Sequence, residues 1–214
     1  MREWTIEVVP VGPLRMNAVI LAAPGTDGTA GEAILIDPGD EPERLLARID
    51  ALGCRLVQLV CTHGHFDHVG AGADIQDAVD LPLRCHPDTV PFVERLPEIQ
   101  ALWGFPATRV PRVAADLHDG GAIPFAGGTI GVVHVPGHAP GHVMFTLPGH
   151  AVVGDCLFAG SVGRTDLPGG DFAVLEKSIR ERIYTLPDDT VVVPGHGPDT
   201  TVGREKAGNP YVRG

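Results

Sequence analysis

The segment Thr62-His63-Gly64-His65-Phe66-Asp67-His68 puts three imidazoles and a carboxylate into one short stretch. Shuffled, a chain of this composition would show HxHxDH only about once in 600 times, so composition does not explain the pattern. Imidazole nitrogens and a carboxylate oxygen are ligands for zinc, iron or manganese. His63 and His65, two apart in an extended segment, point to the same side, and the small Gly64 leaves room beside them. Asp67 and His68 fall where a helix should start, and so can face the same cavity from another direction.

Three further positions repeat one arrangement, in which a strand ends with a His or Asp at its tip. His138 stands in Pro136-Gly-His-Ala-Pro-Gly-His142, Asp155 in Gly154-Asp-Cys-Leu-Phe, and His196 in Pro194-Gly-His-Gly. Loops presented by a rigid sheet commonly carry active-site residues. Seven ligands exceed one tetrahedral zinc and suit two metals sharing a bridge. Weaker candidates are Asp37, either a partner of a ligand histidine or simply part of an Asp-Pro-Gly turn, and His142, either such a partner or a packing residue at a strand start. His86, His118, His134 and His150 read as structural or exposed.

These residues need a sheet framework to converge. Thr5–Val11, Asn17–Ala22 and Ala33–Ile36 read as strands, then a helix near 41–52 and a strand over Arg55–Cys61 apolar enough for burial on both faces. A helix is expected from about His68 to Val79, a short strand at Leu83–Cys85 and mostly helix over 88–102. Strands follow at Thr129–Val135, His142–Leu147 and Ala151–Asp155. Asp171 is expected to cap a helix whose core face is Phe172, Leu175, Ile179, Ile183 and Leu186. A last buried strand is expected at Thr190–Val193. This mixed order predicts a layered α/β (α+β) single domain over 1–214.

Composition limits the partners. The chain has 214 residues, 43% apolar and 20% charged, with a net charge of −11. It is too apolar for a disordered acidic chain. So acidic a surface argues against nucleic acid, which needs clustered Lys and Arg. No run of 18 apolar residues predicts a membrane span. The opening MREWTIEVVPVG lacks the apolar core of a signal peptide, and Cys54, Cys61, Cys85 and Cys156 form no CxxC pair. A cytoplasmic protein with reduced thiols is expected.

HxHxDH followed by His138, Asp155 and His196 resembles the metallo-β-lactamase superfamily, and the resemblance covers nearly the whole chain. It includes Ile36-Asp-Pro-Gly39 and the closing Thr201-Val-Gly-Arg-Glu-Lys-Ala-Gly-Asn-Pro. Within the superfamily, Gly154-Asp-Cys-Leu-Phe-Ala-Gly-Ser-Val-Gly-Arg-Thr-Asp looks most like the short glyoxalase II (hydroxyacylglutathione hydrolase) group. The resemblance implies an αββα sandwich with two divalent metals at one edge of the sheets, zinc first, iron or manganese as alternatives. It implies one metal on His63, His65 and His138, the other on Asp67, His68 and His196, with Asp155 bridging. Asp67 would also orient the nucleophile, making it the expected catalytic residue. The implied activity is thioester hydrolysis on a small substrate, glutathione-derived ones included. The resemblance also makes Arg164, nine residues after Asp155, a candidate binder of a substrate carboxylate, with a salt bridge to Asp166 as the alternative. The helical C-terminal domain that completes the glutathione site in two-domain relatives is not expected here, since the chain stops at Gly214.

Two other readings stay open. A mononuclear iron persulfide dioxygenase, acting on glutathione persulfide, would use His63, His138 and Asp155 as a two-His-one-carboxylate set. A non-catalytic, metal-stabilised binding protein would use the ligands for folding alone. The oligomeric state is left open.

Overall fold

The computed structural model describes residues 4–26 and 28–214; the first three residues of the opening segment lie outside it. Two six-stranded sheets form its centre. The first has the order β1-β2-β3-β4-β5-β6 and the second β14-β13-β10-β9-β8-β7. In the first, β1 (Thr5–Val11), β2 (Met16–Ala23) and β3 (Gly31–Ile36) are antiparallel neighbours. β4 (Cys54–Val60), β5 (Leu83–Arg84) and β6 (Val113–Ala114) continue in parallel. The second contains β7 (Ala122–Phe125), β8 (Gly128–His134), β9 (Val143–Leu147), β10 (His150–Gly154), β13 (Val191–Pro194) and β14 (Thr200–Thr201). A small hairpin of β11 (Leu157–Phe158) and β12 (Ser161–Val162) lies outside both sheets.

The period-2 alternation of the strands decides the layering. Val19, Leu21, Ile34, Ile36, Val60, Val132, Phe145, Val152 and Val193 fill the space between the sheets. The intervening residues face outward. Ala18, Ile20, Ala33, Leu35 and Leu59 pack beneath α1 (Pro42–Ala51) and α3 (Gly72–Ala78) through Leu45, Ile49 and Ile75. On the other side Met144, Ala151, Val153 and Val192 meet α6 (Phe172–Ser178) and α7 (Val202–Gly208) through Leu175 and Val202. The order of layers is therefore αββα, and strands buried on both faces explain the nearly continuous apolar runs.

The expected elements are present with shifted bounds, and two expectations fail. The helix foreseen from His68 to Val79 is two helices, α2 (Phe66–Val69) and α3, separated at Gly70-Ala71. At the break the Ala71 amide donates to the Pro38 carbonyl at 2.9 Å, and Asp67 and His68 sit on the short α2. Phe172, expected in the core, is 42% exposed. Asp171 caps α6 by accepting from the Val174 amide at 3.2 Å, which leaves Phe172 on the first turn, short of the sheet. The helical stretch over 88–102 consists of a 3-10 turn at Pro87–Thr89, α4 (Val90–Glu94) and α5 (Leu96–Leu102). Pro91 and Pro97 each stand at the start of a helix, where a missing N–H costs nothing.

The ends of β4, β8, β10 and β13 reach one rim, and the rim is tied across the two sheets. The Val143 amide donates to the Thr62 carbonyl at 2.8 Å. Asn17 on β2 donates through Nδ2 to the carbonyls of Pro194 and Gly197, while its own amide donates to Gly195. Among the described residues no helix is long and apolar enough to cross a membrane.

Because Phe145 is fully buried between the sheets, Phe145→Ala should cost about 3–5 kcal/mol in denaturant unfolding. Phe172→Ala should stay within about 0.5 kcal/mol. Equal losses for the two would contradict the layering.

Candidate metal centre

His63, His65 and Asp67-His68 enter the rim from the segment after β4, His138 from the loop after β8, Asp155 after β10 and His196 after β13. All seven converge. Donor atoms of His63, His65 and His138 form one compact group able to hold a metal ion, and those of Asp67, His68 and His196 form another. Asp155 forms a third group with His63 and His68, one histidine from each of the other two. Its Oδ1 is 3.3 Å from His68 Nε2 and its Oδ2 is 3.6 Å from both His138 Nε2 and His196 Nε2. Asp67 Oδ2 lies 3.1 Å from His196 Nε2.

Four of the five rings are fixed from behind. Asp37, 1% exposed, accepts at Oδ1 from the Thr62 amide and at Oδ2 from the Thr62 hydroxyl and His68 Nδ1. With its hydroxyl proton committed to Asp37, Thr62 Oγ1 accepts from His63 Nδ1 at 3.0 Å. His138 Nδ1 donates to the Arg164 carbonyl at 2.8 Å, and His196 Nδ1 to the Leu14 carbonyl at 3.2 Å. Four rings thus carry a proton on Nδ1 and direct Nε2 toward the cleft, the arrangement seen in metal-bound histidines. His65 is the exception, with Nδ1 2.9 Å from His138 Nε2.

The donor set fits a cation. His63 Nε2, His68 Nε2 and Asp155 Oδ1 are buried without a hydrogen-bond partner, a costly state for polar atoms unless something else engages them. The charges agree. Burial, reinforced by the neighbouring imidazoles, holds His63 well below the usual imidazole range, and His65 is drawn down to about 3 for the same reasons. Burial would also lower His68, but the carboxylates of Asp155, Asp67 and Asp37 override it and push the ring well above its ordinary value. Asp155 lies well below the carboxylate range, because the attraction of His68, His138 and His196 outweighs burial.

Two glycines are demanded by close approach. A Cβ on Gly195 would stand 2.1 Å from Asp155 Oδ1 and 2.7 Å from His68 Cε1. Gly154 has φ +52°, and its Cβ would meet Thr62 Oγ1 at 2.5 Å and His142 Nε2 at 2.6 Å. The glycine of Pro-Gly-His and that of Gly-Asp-Cys are therefore part of the site.

The remaining candidates separate. His142 is buried and packs its ring 4.6 Å from that of His63, with Cys156 Sγ 3.5 Å from its Nδ1. It backs the His63 ring and joins none of the three donor groups. The Arg164 side chain pairs with Asp166 through two 2.7 Å contacts and lies over the Trp103 ring at 5.5 Å. A cavity of about 310 Å³ abuts Asp67, lined among others by Leu14, Phe66, Phe105 and Pro106. Sequence reasoning missed Thr62, Asn17 and Trp103. Thr62 sits inside the quoted motif, but its role depends on Asp37, 25 residues earlier.

The family model described as the metallo-beta-lactamase superfamily matches residues 12–196. Hydroxyacylglutathione hydrolase GloC of Haemophilus influenzae is 37% identical, with 97% of each chain covered. A crystal structure of TTHA1623 in a di-iron-bound form superposes with a TM-score of 0.84 at 41% identity, covering 96% of this chain and 100% of that one. BLEG-1, a B3 metallo-beta-lactamase, gives the same TM-score at 32% identity, covering 98% and 100%.

Asp37→Asn removes the carboxylate that accepts from His68 Nδ1 directly and sets His63 through the Thr62 hydroxyl, and should weaken metal binding about 10–100-fold. Competition against a chromophoric chelator measures it, with circular dichroism checking that the fold is kept. Gly195→Ala should lower metal content at least as far, since its Cβ displaces Asp155 or His68. Unchanged metal affinity in both variants would contradict the geometry.

Proposed function

This chain belongs to the metallo-beta-lactamase superfamily, and we propose that it is a two-metal thioester hydrolase of the hydroxyacylglutathione hydrolase kind. The observation that carries the reading is the divided donor set, two groups of three that meet at Asp155. His63, His65 and His138 would hold one ion, Asp67, His68 and His196 the other, with Asp155 between them. Zinc suits these nitrogen and oxygen donors best, with iron and manganese as alternatives. The di-iron form of TTHA1623 supports a pair of ions. Such a pair supplies Lewis acidity, activating water at neutral pH and polarising the thioester carbonyl.

The chain's own groups do the rest. Asp67, with 16% of its side chain exposed, is the carboxylate best placed to accept a hydrogen bond from attacking water and hold it in line. The cavity beside it gives room for a small acyl group. A thiolate leaves without a strong general acid, which is why a thioester suits this site. The GloC relative supports a glutathione-derived substrate. Arg164, about half exposed at the cleft edge, would meet a substrate carboxylate only in competition with Asp166. Four free, buried cysteines are consistent with a reducing cytoplasm.

The purified protein should carry two metal ions per chain and release thiol from lactoylglutathione, with activity lost on chelation. Asp67→Ala should lower kcat about 10²–10⁴-fold. Arg164→Gln should raise KM only about two- to five-fold, the scale of an exposed ion pair, and Asp166→Asn should lower it. One iron per chain with oxygen consumption on glutathione persulfide would overturn the proposal. So would hydrolysis of a cephalosporin with no thioesterase activity.

A further inference from the structure

Of the four groups of convergent metal-ligand side chains among the described residues, three share the cleft; the fourth is His86, Asp88 and His134. The same signature marks both places. Among the described residues four buried side-chain nitrogen or oxygen atoms lack a partner: three belong to the cleft, and the fourth is His134 Nε2. We propose that His86, Asp88 and His134 form a second, separate site for a divalent transition metal, which clips the two sheets together at their flank.

The three residues come from different parts of the fold. His86 follows β5 of the first sheet, His134 ends β8 of the second, and Asp88 lies in the 3-10 turn Pro87–Thr89. The His86 and His134 rings stack at 4.5 Å with an interplanar angle of 1°, and the His118 ring stands edge-on to His86 at 6.0 Å. Asp88 Oδ2 is 3.7 Å from His86 Nδ1, and its side chain is 65% exposed, free to swing onto an ion. Two imidazoles and a carboxylate with a position left for water form a donor set for zinc, cobalt, nickel or copper. All three donor atoms lie within 4.8 Å of one another. A tetrahedral ion needs them about 3.4 Å apart and in the plane of each ring, so one ring of the parallel stack has to rotate out of it, with Asp88 following, to close the site.

Burial keeps both rings below the ordinary imidazole value, which favours their neutral, ligating form. His134 Nε2 has no partner, while His86 Nδ1 accepts from the Asp88 amide at 3.2 Å, a hydrogen bond that an ion on that nitrogen would replace. Asp119 accepts from the His134 amide and pairs with Arg182 behind it, so Asp88 remains the carboxylate facing the rings. The 3-10 turn also underlies the cleft. Thr89 Oγ1 donates to the Gly141 carbonyl, and a Cβ on Gly64 would lie 3.1 Å from Thr89. An ion here would stiffen the turn beneath the Thr62–His68 segment without touching the cleft donors.

The test is native mass spectrometry of the holoprotein titrated with Zn²⁺, alongside thermal unfolding. Wild type should bind one more ion per chain than His134→Gln, and zinc added beyond cleft saturation should raise its Tm while leaving that of the variant unchanged. Asp88→Asn, at an exposed position, should weaken the additional ion at least tenfold and covers the case in which His134→Gln does not fold. Equal stoichiometry and equal zinc response across the three proteins would overturn the proposal, leaving a stacked pair of neutral histidines. Failure of the cleft reading would instead change the number of ions that His134→Gln retains.

Discussion

The Asp37 carboxylate is the contact on which the centre depends. Burying a charge is expensive unless its oxygens are engaged, and here they accept the Thr62 amide, the Thr62 hydroxyl and His68 Nδ1. Through the hydroxyl, the same carboxylate also sets the His63 ring. One side chain therefore fixes the proton position of a histidine in each donor group. The backbone accommodates this at φ +57°, a left-handed conformation that Asp tolerates better than most residues.

Around that contact the sandwich acts as a positioning device. Strand alternation buries both faces of each sheet, which makes the strands stiff and their ends well defined. The ends of β4, β8, β10 and β13 then deliver seven donors to one rim. Asn17 and the Val143 amide tie that rim across the two sheets. The glycines of Pro194-Gly-His and Gly154-Asp-Cys are held by contacts too close for any Cβ.

The donors were legible in the sequence because a metal centre needs rare residue types in a fixed local order, and HxHxDH supplies it. The strands were legible through their apolar runs. What sequence could not show was longer in range or smaller in scale. Thr62 acquires meaning only beside Asp37, and Trp103 only beneath Arg164. The break at Gly70-Ala71, where the Ala71 amide turns to the Pro38 carbonyl, interrupts a helical pattern that continues through it. Phe172 has the right spacing for the core but sits at the capped first turn, where the sheet no longer reaches it. His86 and His134, 48 positions apart in the chain, read singly as ordinary loop and strand residues. Only the stacking of their rings makes them a pair.

The anchors behind the histidines are of two kinds. His138 and His196 lean on the carbonyls of Arg164 and Leu14, groups that every residue type possesses. Substitution at either position leaves the anchor in place and changes only the side chain at the cleft's edge. His68 directly, and His63 through the Thr62 hydroxyl, lean on the carboxylate of Asp37, which a single base change can delete. The centre is thus brittle at one buried position and tolerant at two exposed ones. Leu14 and Arg164 stand beside the cleft, so a lineage could retune what it admits there while its chemistry stays intact.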